Sequence, residues 1–295
     1  MINDLRKKYP NSENYLILFV LSLVWGSSFI LIKKALIAFE PQQVATLRIT
    51  ISALAFSPVV LYYRKEIDWG KWKTLLVVGL TGSAVPAFLF STGQTQLSST
   101  ITGILNSLSP LFTLLFGIVI FGAAVLQRKI IGVLLGLSGA ILMVVFAEKG
   151  GTSANLAYGL LIVLAAACYG LSANIVSFKL KDMKSLHLSA VSFFLVGLPA
   201  VIYLFSTDFV EVLQTDEYAL KSLAAVTFLS LIGTVAASVI FYYLIQKTSA
   251  LFGSTVAYLM PIVSVFWGLL DGEFINLFHF VGMGLILCGV YLSRN

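Results

Sequence analysis

Charge is scarce in this chain. Asp, Glu, Lys and Arg make up 11% of its 295 residues, where a soluble domain carries roughly 25%. That excludes a surface facing water on every side. Acid is scarcest where it would count most, because no Asp or Glu lies in the interior of any long apolar run. A buried membrane carboxylate is the usual proton or cation relay of a pump, so proton-driven pumping is not expected. The two histidines, His187 and His279, stand alone near the ends of such runs, which leaves no credible metal site. The two cysteines, Cys168 and Cys288, sit in apolar runs without a CxxC spacing; they read as small packing residues. No HExxH, P-loop or G-x-S-x-G stretch is present. These gaps argue against an enzyme and against any resident cofactor.

What the chain does have is apolar length, with 59% hydrophobic residues. About 20 apolar residues cross a bilayer core of about 30 Å. Ten segments of that kind can be drawn, near 15–34, 42–62, 73–93, 99–121, 129–147, 156–178, 186–205, 221–245, 250–270 and 275–293. The first is basic at its flank (Arg6, Lys7, Lys8) and long enough to span. It reads as a retained helix rather than a cleaved signal.

The net charge of +6 is not a nucleic-acid signature, because the positives lie in short tethers. One side holds Arg6, Lys7 and Lys8; Arg64, Lys65, Lys71 and Lys73; Arg128 and Lys129; Lys179, Lys181 and Lys184; Lys247; and Arg294. The other side holds Lys33, Lys34, Lys149 and Lys221, together with acids such as Glu40, Asp208, Asp271 and Glu273. The Lys/Arg-rich side of a membrane protein is cytoplasmic. Both termini are therefore expected in the cytoplasm of a cell that inserts the chain in its inner membrane.

The second half echoes the first. Trp25-Gly26-Ser27-Ser28 aligns with Tyr169-Gly170-Leu171-Ser172, Pro58 with Pro199, Gly82 and Phe90 with Gly233 and Phe241, and Pro110 and Gly117 with Pro261 and Gly268. After a one-residue slip, Gly132 and Gly139 match Gly282 and Gly289. Five segments is an odd number, so the second copy enters the membrane the other way round. The expected fold is all-α and integral to the membrane: ten transmembrane helices in two inverted five-helix repeats, residues 1–150 and 151–295. Inverted repeats with a midplane site between them characterise small-molecule transporters.

Polar side chains inside apolar runs must face protein or a wet cavity, since an unpaired amide in lipid costs several kcal/mol. Those marked as substrate-binding are Trp25, Ser28, Arg48, Gln94, Asn106, Tyr169, Asn174, Tyr242 and Tyr258. Trp25 offers a flat face and one N–H. Ser27 and Ser28 are adjacent, so only one of them can face a given cavity. Arg48 has two readings: its guanidinium snorkels to headgroups or pairs with an outer acid such as Glu40, or it clamps an anionic group of the substrate. Interhelical hydrogen bonding is the plainer role for the amides and tyrosines. Pro110 and Pro261 remove backbone hydrogen bonds in mid-segment and are expected to act as matched hinges. Asp271 and Glu273 read as anchors of the last turn, with an outer gate as the alternative. The glycine rows of segments 5 and 10 read as packing seams.

These motifs resemble the drug/metabolite transporter superfamily, and within it the EamA-type carriers. The likeness covers nearly the whole chain. It rests on VWGSSF, on TLRITIS with Arg48, on STGQTQLSSTITGILNSLSPLFTLLFG, on QKTSALFGSTVAYLMPIVSVFWGLLDGE and on GMGLILCGVYL. The resemblance implies a central cavity between the halves and export of amino acids or related metabolites, sometimes drugs. One departure is visible. The family's glutamate after segment 9 is Glu273, whereas the first half reads FGAA, with Ala123 in that place. The alternatives are a sugar-phosphate or nucleotide-sugar carrier, which would need several cavity cations, and an integral-membrane enzyme or receptor. The partners expected are a small-molecule substrate and the lipid bilayer.

Overall fold

The computed structural model describes residues 12–122 and 153–294, with positions 131, 132, 134–136, 138, 139 and 142 between them. Eight helices among the described residues are long and apolar enough to span a membrane. They are α1 (Glu13–Ala35), α2 (Pro41–Tyr62), α3 (Trp69–Gly93), α4 (Ser99–Phe121), α5 (Leu156–Lys179), α6 (Ser185–Phe205), α7 (Ala219–Lys247) and α8 (Ala250–Leu270). A ninth helix, α9 (Leu277–Arg294), follows, and its apolar part is shorter. Predicted segment 5 lies outside the described residues except for those few positions, and with it the count of ten. The remaining segments match to within a few residues.

Cross-helix pairs sort the helix ends onto two sides. Lys247 meets Glu13 at 3.0 Å, and Lys184 meets Glu66 at 3.0 Å. These pairs join the start of α1, the end of α2, the start of α6 and the end of α7. At the other side, Gln43 Nε2 donates to Asp208 Oδ1 at 2.6 Å and Lys33 meets Glu273 at 2.8 Å. The described helices thus alternate in direction.

Small residues bring the helices close, as membrane packing requires where no hydrophobic force acts between spans. α2 and α6 lie along each other, with Phe56 and Phe193 stacked at 5.5 Å. A Cβ on Gly26 would lie 2.5 Å from Val263 Cβ, so α1 is pressed onto α8. A Cβ on Gly170 would lie 2.7 Å from the Thr113 backbone nitrogen, so α5 is pressed onto α4. These are the same contact made twice, each across to the other half of the chain. The glycine seam is equally concrete, since a Cβ on Gly139 would lie 2.8 Å from the Gly282 carbonyl oxygen in α9.

The expected unbroken spans are broken in matched places. α3 carries a π-helical turn at Leu80–Ala84, and α7 carries one at Leu231–Ala236. α4 tightens at Ser107 and Leu108 before resuming at Ser109–Phe121; α8 passes through a 3-10 turn, Thr255–Tyr258, before Met260–Leu270. This corrects the placing of the hinge prolines. Pro110 and Pro261 sit in the first turn of these second half-helices, where a missing N–H removes no helical bond. The breaks precede them, and proline starts the new helix.

A cavity with a single cation

The broken helices surround a cavity of about 100 Å³ at the centre of the bundle. Of the nine side chains marked from sequence, Trp25, Ser28, Arg48, Asn106, Tyr169 and Tyr242 line it. The π-helical turn of α7 explains how one wall is built. By widening the backbone it frees the Gly233 carbonyl, which accepts from Trp25 Nε1 at 2.8 Å. Thr234 Oγ1 donates to the Leu229 carbonyl five residues back, at 3.2 Å. Trp25 then stands edge-on to Phe241, ring centres 4.8 Å apart. Phe90 and Tyr169 stack at 5.8 Å. The two repeat partners Trp25 and Tyr169 thus furnish aromatic walls of one chamber.

Arg48 does not snorkel. It is 8% exposed, and its Nε donates to Thr234 Oγ1 at 2.8 Å. Glu40, its suggested partner, is occupied in a capping box with Gln43 at the start of α2. The Tyr169 hydroxyl faces the guanidinium. Beyond it, Ser172 Oγ and the Tyr242 hydroxyl crowd against Gly82, where a Cβ would lie 2.6 and 2.7 Å from them. Ser172 Oγ is buried with the Tyr242 hydroxyl beside it and makes no hydrogen bond of good geometry. Asn106 closes the other end, its Nδ2 3.7 Å from Met260 Sδ and its Oδ1 3.3 Å from Ser109 Oγ.

Three marked residues are elsewhere. Gln94 Nε2 donates to the Phe29 carbonyl at 3.2 Å. Asn174 Nδ2 donates to the Thr113 and Gly170 carbonyls, both at 2.8 Å, and so ties α5 to α4. Tyr258 packs at the edge of the main apolar core. Of the adjacent serines, Ser28 faces the cavity, while Ser27 Oγ accepts from Trp267 Nε1 at 2.8 Å on an exposed face. Sequence reading passed over Thr234, Ser172, Ser238 and Ser254, which also line the cavity. Their common signal is a hydroxyl in an otherwise apolar run, too frequent in membrane helices to single them out.

A second polar cluster closes the side where α1 ends. Glu273, its side chain 4% exposed, accepts from Lys33 Nζ at 2.8 Å, from the Ser99 backbone N–H and hydroxyl at 3.0 and 2.8 Å, and from those of Thr100 at 3.0 and 2.6 Å. It therefore caps the N-terminus of α4 from another part of the chain, where unpaired N–H groups and the helix dipole favour an anion. Burial would raise the Glu273 pKa, but the hydrogen bonds from Lys33, Thr100 and Ser99 outweigh it and hold the carboxyl below its ordinary value. Asp271 pairs with Lys33 at 2.7 Å and with Lys34. Burial opposes its ionisation too, and the two lysines again prevail. This role for Glu273 lies between the two readings made from sequence: it anchors no turn of its own but fastens α1, α4 and the end of α8 together.

The profile of the EamA-like transporter family matches residues 13–145 and again residues 156–294. The chain belongs to the EamA-like transporter family. It is 26% identical over 285 residues to an uncharacterized transporter of Archaeoglobus fulgidus, covering 95% of this chain and 98% of that one. It is 23% identical over 280 residues to the uncharacterized inner membrane transporter YedA of Escherichia coli K12, covering 93% and 88%. A 109-residue stretch, 34% of this chain and 31% of the other, is 31% identical to the WAT1-related protein At1g25270 of Arabidopsis thaliana. A solved crystal structure shares the fold at TM-score 0.64 and 17% identity, with 96% of both chains covered. This EamA-like chain is a multi-pass membrane transporter, and its family is built from two repeats.

Proposed function

We propose that this transporter exports amino acids or related small metabolites by alternating access, as a facilitator or exchanger in the inner membrane, with both termini cytoplasmic. The observation that carries the reading is the central cavity walled by matched elements of both halves. Trp25 pairs with Tyr169 in the repeat, and the π-helical turns of α3 and α7 fall 151 positions apart, at Leu80 and Leu231. Two inverted repeats, residues 1–150 and 151–295, would place such a cavity on their pseudo-twofold axis. The half-helices led by Pro110 and Pro261 are the elements that rock.

Polarity of the rims supports a gating role for the Glu273 cluster on the outer side. The sugar-phosphate alternative draws on Lys33 and Lys34, but both are engaged by Asp271 and Glu273. One guanidinium is thin support for a phosphate dianion. Counterflow in proteoliposomes with labelled amino acids, run with and without a pH gradient, tests the reading. Uptake without a gradient, and no acceleration by a pH gradient alone, is the expected result. Strict dependence on the pH gradient would contradict it.

A further inference from the structure

The charge inventory of the cavity is lopsided. Its described lining holds one charged side chain, Arg48, and no Asp, Glu, Lys or His. Arginine stays protonated in proteins, and a buried charge is normally paired. The ion pairs among the described residues lie at the two ends of the bundle, and none involves Arg48. Nearby stand three hydroxyls: Thr234 Oγ1, which accepts from Nε at 2.8 Å and donates to the Leu229 carbonyl, Tyr169, which faces the guanidinium, and Ser172 Oγ, buried beside the Tyr242 hydroxyl and without a hydrogen bond of good geometry. Much of the remaining lining is apolar and aromatic, with Trp25, Phe90 and Phe241 among it.

From this we infer that Arg48, Tyr169 and Ser172 form a subsite for the carboxylate of a small monoanionic substrate whose apolar or aromatic part lies against Trp25 and Phe241. The inference rests on the cavity being the transport site and narrows its substrate class. A carboxylate takes two N–H donors from a guanidinium in fork geometry and neutralises a charge that the protein leaves unmatched. An ammonium group has no acid to meet in this lining and is repelled by Arg48. A hydroxy acid is therefore preferred over the amino acid of the same shape, and a bare amine is rejected. A monoanion carried alone moves charge, so an inside-negative potential of 100 mV favours its exit by about 50-fold.

The test uses four probes of one shape: phenyllactate, phenyllactamide, phenylalanine and phenethylamine. Binding is read as the rise in unfolding temperature of the purified full chain in detergent. Phenyllactate should raise it, phenylalanine should need at least tenfold more ligand, and phenethylamine and phenyllactamide should have no effect. Arg48→Gln should lose the phenyllactate response, and Arg48→Lys should keep a weakened one. If Arg48→Gln does not fold, the wild-type ranking of acid against amide decides by itself. Phenethylamine or phenylalanine binding as well as phenyllactate, an unchanged response in folded Arg48→Gln, or no response to any probe would overturn the inference. Phenyllactate binding without counterflow in proteoliposomes would instead leave the subsite standing and refute the carrier reading.

Discussion

The two ends of this bundle carry the same repeat position with opposite chemistry. Gly272 and Gly122, 150 positions apart, are the two described residues of positive φ, at +74° and +72°; each ends its helix in the left-handed turn that glycine adopts without strain. Aligned on them, Asp271 corresponds to Phe121. By the offset that pairs Trp25 with Tyr169, Lys34 corresponds to Phe178. On one side these positions form the ion pair Lys34–Asp271. On the other, Phe121 and Phe178 stack at 4.4 Å with rings 9° from parallel. The hydroxyl-bearing Ser99 and Thr100 that bind Glu273 correspond to Ala250 and Leu251. At the matching positions of the second end the acid and its donors are replaced together, by Ala123, Ala250 and Leu251. The lesson is that a repeated scaffold needs its ends to close, and either charge pairing or aromatic contact can do it. The two closures differ in what these positions contribute: charge pairing at the first end, and at the second an aromatic contact beside the ion pairs Lys247–Glu13 and Lys184–Glu66.

The sharpest way to break this contrast is Glu273→Gln. It removes the anion from a site with charge-assisted donors worth about 1.5–3 kcal/mol each and leaves Lys33 only Asp271. Opening of that end should become at least tenfold more frequent, read as thiol-reagent access to a cysteine placed at Ala257 in the cavity wall. A smaller set of changes sharpens it through paired glycines. A Cβ on Gly268 would collide with Thr100 Oγ1 and lie 2.7 Å from Glu273 Oε2, while on its counterpart Gly117 it meets only Asn174 Oδ1 at 3.4 Å. Gly268→Ala should therefore loosen the charged end, and Gly117→Ala should leave access unchanged. Next, Phe178→Ala should raise access from the aromatic end by about threefold to tenfold, since a stacked pair contributes about 0.5–1.5 kcal/mol, with little response to salt. The smallest effect is that of pH. Because the Glu273 pKa is depressed, its contribution is complete above the ordinary carboxylate value and is lost only as pH falls through the lowered one. Access at the charged end should stay flat from pH 8 to pH 5 and rise below that; a rise near neutral pH would contradict the assignment.

Much of the scaffold was legible because lipid enforces it. Long apolar runs, polar tethers and the Lys/Arg bias are needed for insertion, so α8 was placed at residues 250–270 as observed. Glycine pairs signalled the crossings of α1 with α8 and α5 with α4, although not which helix each would meet. The cavity was half legible. Trp25 and Arg48 stood out as large polar-capable groups in apolar runs, but an amide in such a run serves a cavity or a carbonyl equally well, and Gln94 and Asn174 took the carbonyl. The helix breaks were not legible. π-helical turns have no composition of their own, and the proline at each restart reads in sequence as the cause of a kink rather than as the first turn of a new helix.

The most direct test of alternating access through unlike ends is thiol labelling of Ala257→Cys, in a background without Cys168 and Cys288, from each side of oriented vesicles. The account predicts that Glu273→Gln raises labelling from the side on which Glu273 lies and lowers it from the opposite side, while Phe178→Ala does the reverse. Labelling that rises from both sides in either variant, or that changes in neither, would show that the two closures do not control one shared cavity.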